Sequence, residues 1–121
     1  MARAVNSVDV DEMIRLTTDD VVIIVGRSEV EGPFVGHDGV RELFADTAES
    51  FDLFELHADE VCDVGDDQVL STGVVRVRGR GGGVEATTPF AGITTFRDGK
   101  ACRWEDFRER SLALKAAGAE E

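Results

Sequence analysis

Trp104 and Asp106 stand two positions apart in Lys100-Ala101-Cys102-Arg103-Trp104-Glu105-Asp106-Phe107. This stretch follows Thr95-Phe96-Arg97 across an Asp98-Gly99 pair, the signature of a tight hairpin turn. Side chains alternate faces along a strand, so Cys102, Trp104 and Asp106 share one face. If that face borders a cavity, Asp106 is a carboxylate set among apolar neighbours. Loss of hydration then raises its pKa and lets it act as acid or base. The plainer alternative is a half-exposed carboxylate on an edge strand.

Other residue types capable of chemistry are scattered. His37 precedes a helix and reads as a ring that orders the helix start, with a pocket base as the alternative. His57 lies on a strand and has no assigned role. Cys62 and Cys102 lack metal or redox spacing and read as small buried apolar residues. Asp63-Val64-Gly65-Asp66-Asp67 is too short for a calcium loop and reads as a turn. Ser28 and Ser71 lack a nucleophile-elbow setting. Gly79 to Gly83 joins two strands and does not open a helix, so it is no phosphate loop. Arg76, Arg78 and Arg80 share the strand face opposite Val75 and Val77. They read as a solvated row, with Arg78 near Glu85 across the glycine-rich turn, or as a grip for an anion or a second subunit.

The elements that must position these residues follow from the pattern. Asp9 to Leu16 is a short helix, and Thr17 to Asp20 a polar break. Val21 to Val25 is an apolar β-branched strand, and Gly26 to Gly36 a loop holding Pro33. Asp38 to Thr47 is a helix with Val40, Leu43, Phe44 and Thr47 in one stripe. Strands follow over 53–64, 68–80, 84–96 and 100–109, with a bulge expected at Pro89. Ser111 to Ala117 is a small helix ended by Gly118. Helices first and a strand meander after them predict an α+β domain: helices packed on one face of a curved antiparallel sheet. The 121 residues suit one domain, over 1–121.

A net charge of -12 disfavours nucleic acid and anionic membrane as partners, since both are polyanions. No apolar run has the ~20 residues of a membrane span, and no leader-like apolar stretch opens the chain. A cytoplasmic location is the expectation.

Four segments resemble the nuclear transport factor 2-like superfamily, and within it the SnoaL-like polyketide cyclases. They are Asp19-Asp20-Val21-Val22, Gly36-His37-Asp38-Gly39-Val40-Arg41-Glu42-Leu43-Phe44, Pro89-Phe90-Ala91 and Phe96-Arg97-Asp98-Gly99-Lys100. The resemblance implies a cone: a bent sheet around helices (a cystatin-like α+β barrel) with an apolar pocket open at one end. It implies a homodimer packed through sheet faces. Only Met1 to Val5 precede the segment matching the turn after the family's first helix, so that helix is short or missing.

Limonene-epoxide hydrolase and the cyclases carry an acid where this chain has Asp106. The hydrolase's Arg and second Asp fall on Gly73 and Val75, however. The base of ketosteroid isomerase falls near Val25, its oxyanion-hole acid near Ala91 or Gly92, and its Tyr has no counterpart in a chain without Tyr. By the same register Val75, Phe90, Gly92, Thr94, Phe96, Cys102 and Trp104 form an apolar wall for a small hydrophobic ligand, with Asp106 as the catalytic acid or base. That reading uses no metal and no cofactor. The alternative is a non-catalytic binding or dimerisation module with Asp106 structural. A filled cone, or an ion pair from Arg103 or Arg108 to Asp106, favours the alternative.

Overall fold

Three two- to five-residue turns join four long strands into a meander. The turn Asp98-Gly99 has φ of 54° and 82°, the pairing of positive angles that a right-twisted two-residue hairpin requires. It joins β5 (Glu85–Arg97) to β6 (Lys100–Phe107). Asp66-Asp67 joins β3 (Phe51–Gly65) to β4 (Gln68–Gly79), and the glycine-rich turn joins β4 to β5. The computed structural model describes residues 10–25 and 32–118. Before the meander come α1 (Val10–Leu16), β1 (Thr17–Ile24), β2 (Phe34–Val35) and α2 (Gly36–Ser50), and after it α3 (Arg110–Ala116). Part of the expected Gly26–Gly36 loop, residues 26–31, lies outside the described residues, as does the chain before Val10.

The sheet order is β2-β1-β6-β5-β4-β3. The expectation of an antiparallel sheet needs one correction: β1 runs parallel to β6, with Ile23 opposite Trp104. Thr17 to Asp20 is not a break but the first half of β1. Thr17 is buried there, and its hydroxyl donates 2.8 Å to the Met13 carbonyl, tying the end of α1 to the strand.

The bulge expected at Pro89 is absent. Pairing of β4 with β5 is continuous from Gln68–Thr95 to Arg78–Glu85. Pairing of β5 with β6 ends at Ala91–Phe107, so at Pro89 the strand is locally an edge, where a residue without N–H is tolerated. The β5–β6 irregularity lies lower. Thr95 opposes Arg103 and Phe96 opposes Ala101, which leaves Cys102 as the extra residue. The β3–β4 pairing shifts register at three places, between Phe51 and Leu53, Ala58 and Glu60, and Asp63 and Gly65.

Two cores result. Met13, Val21, Ile23, Phe34, Val40 and Phe44 join α1 and α2 to the inner face of β1 and β2. Gly39 is required there, because a Cβ would lie 2.9 Å from the Phe34 carbonyl carbon. On the outer face Leu70, Ala91 and Ile93 are covered by Ala113 and Leu114 of α3. Gly118, at φ 73°, ends that helix as expected.

Candidate functional site

The inner face of β3–β6 does not meet α2 everywhere. Register puts Leu56 beside Val75, and Asp106 beside Gly92, along one face. Between that face and α2 lies a cavity of about 540 Å³, within the ~300–1,000 Å³ of small-molecule sites. The sheet contributes Phe54, Leu56, Val75, Phe90, Trp104 and Asp106. The helix side contributes Leu43, Phe44, Asp46, Thr47 and Ser50, and Met13, Ile23 and Val25 close the inner end. At the α2–β3 junction the Phe51 and Phe54 rings lie 6.2 Å apart, tilted by 49°.

Asp106 borders this cavity. Its residue surface is exposed. The apolar walls nevertheless replace much of its hydration. Burial pushes the carboxyl up from 3.8 to about 6, against a smaller opposite effect of the Phe107 backbone N–H. Among the described residues no cation pairs with it: Arg103 instead donates to Glu105 at 2.6 Å. No Arg, Lys or His is among the described residues lining the cavity.

Four of the residues expected at the site meet there: Val75, Phe90, Trp104 and Asp106. Gly92 serves from beneath, since the Trp104 indole lies across it, 2.2 Å from where a Cβ would stand. Thr94 is buried opposite Trp104 and is not a lining residue. Phe96 and Cys102 do not line the cavity either. For Cys102 the reason is the bulge, which interrupts the alternation along β6.

Asp46, Thr47 and Ser50 line the cavity as well, beyond the residues expected from the sequence. Their signal was available, because Leu43, Asp46 and Ser50 recur at helical spacing along one flank of the apolar stripe. The Thr47 hydroxyl donates 2.8 Å to the Leu43 carbonyl.

The remaining candidates are structural. His37 Nε2 lies 3.3 Å from the Thr17 carbonyl, which can only accept, so the ring holds the start of α2 to β1. The arginine row is paired: Arg76 with Glu85 and Glu55, Arg78 with Asp52 at 2.8 Å, and Arg80 with the Ala48 carbonyl. Asp52 raises the Arg78 pKa, and Arg78 also opposes Glu85 in register, as expected. Among the described residues no cluster of three or more His, Cys, Asp or Glu is placed to hold a metal ion. No described helix is long and apolar enough to cross a membrane.

Comparison with known proteins agrees with this architecture. A family model for the SnoaL-like domain matches residues 1–104. An NTF2-like protein of unknown function from Burkholderia pseudomallei K96243 is 23% identical, with a TM-score of 0.77 over 94% of this chain and 88% of its own. TerC, co-crystallised with polyporic acid, is 24% identical, with a TM-score of 0.76 over 94% and 92%. A proposed SnoaL-like polyketide cyclase from Shewanella denitrificans OS-217 is 15% identical, with a TM-score of 0.74 over 95% and 91%. At these identities the likeness is one of fold. No curated protein matches the sequence.

Proposed function

The chain belongs to the SnoaL-like family and shares its fold with polyketide cyclases, and from that premise we propose that it binds a small hydrophobic molecule and acts on it by acid–base chemistry through Asp106. The observation that carries this reading is the unpaired carboxylate in an apolar wall, raised to about 6. Such a group is largely ionised at neutral pH, yet basic enough to take a proton from a bound carbon acid or water and return it. Trp104, Phe90 and Val75 supply the binding wall, with Gly92 giving the indole its place. The TerC complex with polyporic acid supports small-molecule binding as within reach of the fold.

The reaction types differ in their support. An isomerase of the ketosteroid type needs donors at the developing oxyanion. Ala91 and Gly92 stand near that position, and the chain has no Tyr. An epoxide hydrolase of the limonene type needs an Arg where Gly73 stands. A Cβ on Gly73 would lie 1.9 Å from the His57 carbonyl oxygen, so the β3 backbone bars any such side chain. A cyclase-type proton abstraction asks least of the missing partners.

The homodimer belongs to the same proposal. The apolar part of the outer sheet face is covered by α3 of the same chain. A partner would therefore pack on the ionic rows of β3 and β4 and on α3, and sedimentation equilibrium tests it.

The deciding experiment is an NMR titration of the Asp106 carboxyl, assigned with Asp106→Asn. A value near 6 supports the enzyme reading. A value at or below 4 ends it, and leaves a non-catalytic module of the same fold.

A further inference from the structure

The arginine row of β4 does not end as it begins. Arg76 and Arg78 pair with carboxylates, whereas Arg80 gives its guanidinium to the backbone of α2. Its Nε donates 2.9 Å to the Ala48 carbonyl, and its Nη2 donates to the same oxygen. The Arg80 backbone N–H donates 3.3 Å to the Ser50 carbonyl. The last four carbonyls of a helix lack partners within it. Arg80 takes two of these, and the Phe51 N–H takes a third, that of Thr47.

The last turn of α2 has no basic residue of its own. The cation that suits the negative end of the helix therefore comes from the glycine-rich turn. That turn is closed by its own backbone, with the Gly83 N–H donating 3.1 Å to the Gly79 carbonyl. A Cβ on Gly83 would stand 3.0 Å from the same oxygen, so the two ends of the turn meet closely and present Arg80 from a fixed base. The helix end it holds is also a wall of the cavity, because Thr47, Ser50 and Phe51 line it.

We propose that Arg80 is a positioning residue, which holds the end of α2 so that Thr47, Ser50 and Phe51 stand in place for the ligand. The proposal rests on the cavity being a ligand site, as proposed above. A wall already in place spares the ligand the cost of ordering it, so affinity follows the hold on the helix end.

Two uncharged probes that quench tryptophan, 4-nitrotoluene and 4-nitrobiphenyl, read occupancy through Trp104 in the lining. Amide hydrogen exchange by NMR reads the helix end through the Phe51 N–H. Arg80→Met removes the guanidinium and keeps the backbone bond to Ser50. In this variant the Phe51 amide should exchange about fivefold faster, and the probes should bind more weakly by a similar factor. Amides of β5 and β6 should exchange as in the parent. Arg80→Lys should restore part of both effects, since an ammonium brings the charge without the fork.

Unchanged exchange at Phe51 in Arg80→Met overturns the proposal. So does faster exchange with unchanged affinity, or a rise in exchange shared equally by β5 and β6, which is a loss of overall stability. Each of these leaves the ligand site standing. Failure of both probes to bind the parent overturns this proposal together with the ligand-site reading.

Discussion

The Trp104 indole occupies the space above Gly92: a Cβ on Gly92 would lie 2.2 Å from Cη2 and 2.3 Å from Cζ2 of the ring. Gly92 pairs with Asp106 across the β5–β6 ladder, and Trp104 lies two residues before Asp106. The glycine thus lets the largest side chain of the wall lie flat beside the acid. In Gly92→Ala the indole must leave that position and swing into the cavity. We expect a loss of ~1–3 kcal/mol in stability, as for other small-to-large changes at packed positions, and a shift in the emission maximum of the one tryptophan. Denaturant unfolding monitored by that emission reads both. Unchanged emission would mean that the indole does not rest on Gly92.

The Asp106 carboxyl links stability to pH. Its folded value of about 6 lies above the free value of 3.8, so protonation favours the folded state. The stability this contributes is fully present below about 3.8 and is lost as pH rises through about 6. Asparagine cannot ionise and loses nothing. Asp106→Asn should therefore unfold at a higher urea concentration than the parent at about pH 8, with the difference closing by about pH 4. A variant less stable than the parent at about pH 8 would show that a favourable contact holds the carboxylate ionised.

Much of this arrangement is legible in the sequence because it is local. The Asp98-Gly99 turn, the α2 stripe of Val40, Leu43 and Phe44, and the four-strand meander each follow from a few neighbouring residues. What escapes is set by distant partners. Parallel pairing with β6 draws Thr17 to Asp20 into a strand, although the segment is polar. The end of β6 pairing at Ala91 makes Pro89 harmless without a bulge. The bulge at Cys102 removes Cys102 from a wall that strict alternation along β6 would give it. Asp46 and Ser50 are not legible as lining residues, because a polar residue beside an apolar stripe ordinarily borders only water. The gap between α2 and the sheet is what makes them border a cavity as well.

Gly73 is the position least open to change. It pairs with Ala58 on one side and Phe90 on the other. A Cβ would stand 1.9 Å from the His57 carbonyl oxygen and 2.9 Å from the Ala58 Cα, both backbone atoms that cannot rotate away. Gly73→Ala should cost more than about 3 kcal/mol, at the severe end of overpacking. Thermal unfolding followed by circular dichroism checks this. A melting temperature close to the parent's would mean that β3 can shift past β4 at its bulge.

Val75 offers a test of the cavity's interior as an electrical environment. The position is half-buried in the wall that also carries Asp106, and the resemblance to the hydrolase places its second acid there. Val75→Asp adds a carboxyl facing the same poorly hydrated space. Two carboxylates there resist ionising together, so they titrate in two steps and the upper one rises. The Asp106 carboxyl should move above about 6 in an NMR titration of Val75→Asp, and Val75→Asn should leave it in place. The Asn variant separates the effect of charge from that of polarity. If both variants leave Asp106 unchanged, water filling the cavity screens one wall from the other. In that case the rise of the Asp106 carboxyl comes from its immediate neighbours on β5 and β6, not from the dryness of the cavity as a whole.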